Sequence, residues 1–170
     1  MASKKLEILK ALTSLLETVS SDGNENIRPY SLSGSVYRGR TVFGDNDPVP
    51  LVSILEAKGA NYADYADDFK IINKTGWNLL IQGWVDPIDP KQETDPVYEL
   101  VQDVICALQK INAVRPETGK PLYPEYYRLG GRIFELTLGD EVVRPSEVEV
   151  SSKAFFYLPI VIGITNQARG

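Results

Sequence analysis

Apolar residues recur at steps of three and four in the first segment, where Leu6, Leu9, Leu12, Leu16 and Val19 share one side of a helical wheel. Lys5, Lys10, Thr13 and Glu17 fall elsewhere on it, so the spacing predicts an amphipathic helix from about Ser3 to Val19. Ser20, Ser21, Asp22, Gly23 and Asn24 end it with turn formers. From Leu32 to Phe43 the period changes to two: Val36, Arg38, Arg40 and Val42 alternate with Tyr37, Gly39, Thr41 and Phe43. Gly44-Asp45-Asn46-Asp47-Pro48 reads as a turn, after which Val49 to Ala57 resumes extended character. Trp77 to Val85 predicts a strong strand, with Trp77, Leu79, Ile81 and Val85 on one face and Asn78, Leu80, Gln82 and Trp84 on the other. Asp95-Pro96 opens a second helix, Asp95 suiting the N-cap and Pro96 the first helical position. Its stripe is Val97, Leu100, Val101, Val104, Leu108 and Ile111.

The C-terminal third is extended again. Arg132 to Leu138 predicts a short strand, and Glu141 to Val150 can add another after the Gly139-Asp140 turn. Ala154 to Ile164 is a nearly continuous apolar strand, with Phe156, Leu158, Ile160, Ile162 and Ile164 on even positions and Phe155, Tyr157 and Val161 on odd ones. Pro159 lacks an N–H to donate, which points to a sheet edge or a bulge. The order helix, strands, helix, strands predicts an α+β fold, a mostly antiparallel sheet with two main helices on one face. One domain over 1–170 fits the length, with long loops at about 58–76 and 112–131. Two helices cover one sheet face only. Trp84, Phe155, Tyr157 and Val161 are then expected as apolar material on the other face, to be covered by a neighbouring subunit or by the long loops.

Composition narrows the chemistry. The chain has no histidine, so His-based triads, His general bases and the usual zinc sites are excluded. Its single cysteine, Cys106, can form neither an intrachain disulfide nor a cysteine cage, and no second thiol or histidine activates it. A formal net charge of −5 argues against a broad basic footprint for nucleic acid. The glycines at 34, 39 and 44 do not match a dinucleotide fingerprint, and there is no Walker A sequence. Asp45-Asn46-Asp47 lacks the later glycine and glutamate of a calcium loop. The carboxylates of NYADYADDF (Asp64, Asp67 and Asp68, beside Tyr62 and Tyr65) read as a solvated face. Arg38 and Arg40 on one strand face suit an exposed surface or an inter-subunit salt bridge better than a phosphate site. Charged residues interrupt the N-terminal leucines, and no stretch reaches the roughly 20 apolar residues of a membrane span. The expectation is a soluble protein without metal, cofactor or catalytic activity.

RGRTVFGDNDPVPLVSILEA, WNLLIQGWVDP, TDPVYELVQDVICAL and the terminal SSKAFFYLPIVIGI together resemble the tail-terminator (tail-completion, or minor tail) proteins of tailed bacteriophages. The similarity runs from about Leu6 to Ile164 and leaves 58–76 and 112–131 unmatched. It implies a structural virion protein at the head–tail junction, assembled in the host cytoplasm. Its subunits would close into a ring, hexameric by resemblance, that caps the tail tube and ends its polymerisation. Tube protein would lie on one side and a neck or head-completion protein on the other, with DNA passing through without specific binding. On this reading Arg38, Arg40, Trp84, Phe155, Tyr157 and Val161 are candidate subunit-interface residues. Another head–tail neck ring protein is the nearest alternative. Alternatives of other classes are a small metal-dependent enzyme using Asp67/Asp68 or Asp45/Asp47, and a host-binding module presenting the tyrosine-rich 121–127 segment.

Overall fold

The computed structural model describes residues 3–57, 75–147 and 152–164. Asp64, Asp67, Asp68, Tyr62 and Tyr65 lie outside these, as does most of the 58–76 segment and the end of the 141–150 stretch. The chain is α+β. Helix α1 (Lys4–Leu16) and helix α2 (Asp95–Gln109) accompany strands β1 (Ser20–Ser21), β2 (Tyr30–Ser31), β3 (Val36–Arg38), β4 (Leu51–Glu56), β5 (Thr75–Val85), β6 (Glu135–Leu138), β7 (Val142–Arg144) and β8 (Ala154–Ile164). Strands β1 and β2 form a small ladder of their own. The other six make one sheet ordered β3-β4-β5-β8-β6, with β7 also pairing β8. Every pairing in that sheet is antiparallel except β3–β4. Among the described residues no helix is long and apolar enough to cross a membrane.

Helix α1 is capped by Ser3, whose Oγ accepts the Leu6 N–H at 3.2 Å. Its buried stripe is rotated from the expected one. Ile8, Leu12, Leu15 and Leu16 face the core while Leu6 is exposed and Leu9 half-buried. Ile8 and Leu15 complete a better three-four progression than Leu6 and Leu9, so packing takes that side. Helix α2 buries Val97, Leu100, Val101, Val104 and Leu108 as its spacing predicts, and Ile111 follows just past its end. The helix starts one residue earlier than a cap at Asp95 requires: Asp95 is helical, Thr94 is the N-cap and Pro96 occupies the first turn. Cys106 points to solvent.

Two strand expectations change. The alternating run 32–43 yields only Val36–Arg38, because Gly39 takes a φ of 75° and bends the chain out of the ladder. Pro159 lies in β8, which runs through the middle of the sheet and not along its edge. The physical reason is a seam on its β6/β7 side. β6 pairs with Ile160–Gly163 and β7 with Phe155–Tyr157, leaving Pro159 between them. The Pro159 carbonyl accepts Gly139 N–H at 2.8 Å on that side. A strand residue's N and O point the same way, so the missing N–H falls in the seam and no β5 bond is lost.

One cluster of buried residues joins α1, α2 and the helix-side face of the sheet, with Phe156, Leu79, Ile81 and Leu158 at its centre. Gly83 stands opposite Phe156 in the β5–β8 register, and the Phe156 ring lies directly over it. The absence of a β-carbon at 83 is what lets that ring lie flat on the sheet. Tyr30 OH donates to Asp103 Oδ2 at 2.7 Å and Asn26 Nδ2 to Glu99 Oε1 at 3.0 Å, docking the 22–31 turn against α2. Burial and the neighbouring Asp103 carboxylate both hold the Tyr30 hydroxyl above the usual tyrosine range.

Candidate functional site

The second sheet face is built in rows fixed by strand register. Leu51, Trp84 and Phe155 form the first row, Ser53, Gln82 and Tyr157 the second, Leu55, Leu80 and Pro159 the third. Asn78 and Val161 make a fourth. Exposure rises from row to row. Trp84 and Phe155 are only 7% and 6% exposed, Tyr157 and Leu80 are half-buried, and Val161 reaches 38%.

The gradient has a structural cause: the segment between β3 and β4 crosses this face at the Trp84 end. Phe43 packs on Trp84 with ring centroids 4.7 Å apart and edge-on to Tyr37 at 5.1 Å. Val49 joins the same cluster. Buried Ser53 donates its hydroxyl to the Arg40 carbonyl at 2.6 Å, tying the segment across β4. Arg40 stacks over Phe43 at 4.4 Å and binds Asp47 Oδ2 at 3.0 Å, and the same Asp47 oxygen accepts Gly44 N–H. Asp47 is thus a turn carboxylate that anchors the covering segment.

Trp84 and Phe155 therefore do not remain uncovered, correcting the expectation for that pair. Within this chain Phe43 packs on Trp84 and Tyr157 on Phe155, with Tyr37 and Val49 against the same cluster. Arg38 and Arg40 also part company. Arg38 donates to Thr13 Oγ1 of α1 at 2.9 Å on the helix side, whereas Arg40 lies beyond β3 on the opposite side. Tyr157 and Val161 do reach the surface, and Val142 of β7, in register with Tyr157, is 48% exposed beside them. Among the described residues the exposed apolar strip on this face is thus Val142, Pro159 and Val161, bordered by Tyr157 and Leu80. Val142 was absent from the sequence-derived set because the short β7 has too few residues to declare a parity.

A concavity of about 480 Å³ opens where the covering segment meets the sheet, floored by Phe43, Trp84, Phe155 and Tyr157. Its ionised groups are engaged with partners. Asp47 is held by Arg40, and Glu147 by Arg144 at 3.4 Å. Lys153, almost fully buried, lies 3.8 Å from Asp86. Among the described residues no group of three His, Cys, Asp or Glu side chains gathers as a metal site. No protein-family model matches the sequence, and no curated protein matches it.

Proposed function

We propose that the chain is a non-enzymatic ring subunit of a phage tail, a terminator that caps the tail tube and presents the junction to the head. The observation that carries this reading is the apolar strip Val142, Pro159 and Val161 on a sheet whose opposite face packs into the core with α1 and α2. Such a strip is a surface for another protein, and a subunit that repeats around a ring buries it in every copy. The element order and the sequence resemblance to tail terminators supply the kind of assembly. A ring around a DNA conduit is also consistent with a net charge of −5, which disfavours adhesion to the passing phosphates.

Withholding the protein during tail assembly tests the role directly. Tubes should then grow past their normal length. Normal-length tubes that fail to join heads would instead assign the chain to the neck. A Val161→Glu variant should fold normally, with stability changed by no more than about 1 kcal/mol at an exposed site, yet drop out of assembled particles. Wild-type incorporation would remove the strip from the account.

A further inference from the structure

The charge of this protein is unevenly placed along α2. Asp86, Asp89, Glu93 and Asp95 lie before or in its first turn and Glu99 follows in the second, against Lys91 within the same stretch. The docked 22–31 turn adds two carboxylates, Asp22 and Glu25, and one cation, Arg28, and Lys153 lies 3.8 Å from Asp86. At the opposite end, residues 110–132 carry Lys110, Arg115, Lys120, Arg128 and Arg132 against Glu117 and Glu125, with Glu135 on the adjoining β6. A chain of net charge −5 thus holds a segment of net charge +3. The 15-residue helix separates the two ends by roughly 22 Å.

The basic segment has a defined shape. Leu122 N–H donates to the Ala113 carbonyl and Arg128 N–H to the Ile111 carbonyl, returning the chain to the end of α2. Val114 and Pro121 form a bridge inside it. It closes with four successive positive φ angles at Arg128, Leu129, Gly130 and Gly131, the two non-glycines held in place by buried Leu129. Left-handed Arg and Leu are sterically costly, and such strain is retained where a fixed surface is needed. Lys110 lies over the Tyr123 and Tyr126 rings and Arg128 over Tyr127, so these cations sit among aromatic faces. None of the ion pairs among the described residues uses a cation of this segment. Each end also exposes apolar surface, Tyr98 (57% exposed) and Ile88 at the acidic end, Leu122 and Tyr123 at the basic one.

We propose that the basic 110–132 segment of one copy docks on the acidic start of α2 in the next, joining copies of this chain head to tail. The occupant is a second copy because the complementary surface is present on the chain itself: opposite charge, exposed apolar residues at both ends, and different patches on the two sides of the contact. Contacts of that kind propagate, closing into a ring when the rotation allows. Complementary charge fixes the register and makes association fall with salt. The inference rests on the ring reading above and adds to the Val142–Val161 strip the charged surfaces that set the register between neighbouring copies.

Sedimentation velocity of the full chain across about 0.05 to 0.5 M salt tests it. Wild type should self-associate at low salt and dissociate as salt rises. The basic-end variant Lys110→Glu/Arg115→Glu/Lys120→Glu and the acidic-end variant Asp89→Lys/Glu93→Lys/Asp95→Lys should each associate at least roughly tenfold more weakly. Mixed together they should assemble again, because each then offers what the other lost. Circular dichroism establishes that each is folded; should a reversal unfold the chain, the neutral set Asp89→Asn/Glu93→Gln or Lys110→Gln/Lys120→Gln takes its place with the same expected direction. A wild type monomeric at every salt concentration overturns the proposal, as does undiminished association of either folded variant. In the second case association itself survives, so the ring reading stands while these surfaces fall; that reading fails separately, by absence of the protein from the head–tail junction.

Discussion

Strand β5 carries large apolar side chains on both faces, but the two faces are protected differently. Trp77, Leu79, Ile81 and Val85 lie on the helix side, buried in the core they share with α1 and α2. Trp84 and Leu80 lie on the other, where a single irregular segment reaches Trp84 and leaves Leu80 half-buried. An amphipathic helix offers a continuous stripe that matches many strand rows, whereas residues 40–50 supply two apolar contacts, Phe43 and Val49, for one row. The helix-covered face is the foundation of the fold. The loop-covered face grades into a surface.

That contrast is broken most forcefully from the helix side. Phe156→Ala should cost about 3–5 kcal/mol and Leu100→Ala or Leu108→Ala about 2–5 kcal/mol, as measured by chemical denaturation. A loss below about 1 kcal/mol at both leucines would mean that α2 does not seal this face. Gly83→Ala should follow, at about 1–3 kcal/mol, since a methyl group there meets the Phe156 ring; an unchanged denaturation midpoint would show that the ring has room to move.

How far these faces were legible in the sequence differs in the same way. Regular periodicity identified α2, β5 and β8 with their parities because each runs for many residues under one rule. The face left open was also deduced, from two helices being too few for two faces. What periodicity could not show is the reach of residues 40–50. Tyr37 and Phe43 share parity in the alternating run, yet Gly39 breaks that run, so the packing of Phe43 on Trp84 arises from a bend and not from a pattern. Pro159 misled for a related reason: the rule that places proline at edges concerns a missing donor, and a seam between two short strands serves as well. Of the six candidate interface residues, only Tyr157 and Val161 combine a place on the second face with access to its open strip. The two charged ends of α2 went unread in the sequence, because only the fold returns 110–132 to the helix end.

Smaller effects sharpen the comparison. Tyr30 ties the 22–31 turn to the helix side, and its hydroxyl titrates above its ordinary value of 10.0. As pH rises past about 10 the unfolded chain loses that proton while the folded chain keeps it, so stability declines with pH through this group. Tyr30→Phe should lower stability at neutral pH by about 1 kcal/mol and flatten that alkaline decline; an unchanged decline would place its source elsewhere. On the loop side, Asp47→Asn should cost less than about 1 kcal/mol, as expected for a partly exposed ion pair. A larger loss would show that the covering segment depends on its anchor more than on Phe43.

The central claim, a ring subunit at the head–tail junction, is most directly tested by electron microscopy of particles assembled with this chain. The account predicts a closed ring of it between the end of the tail tube and the neck, with Val161 against a neighbouring protein. A location at the distal tip of the tail, or absence from the particle, would contradict it.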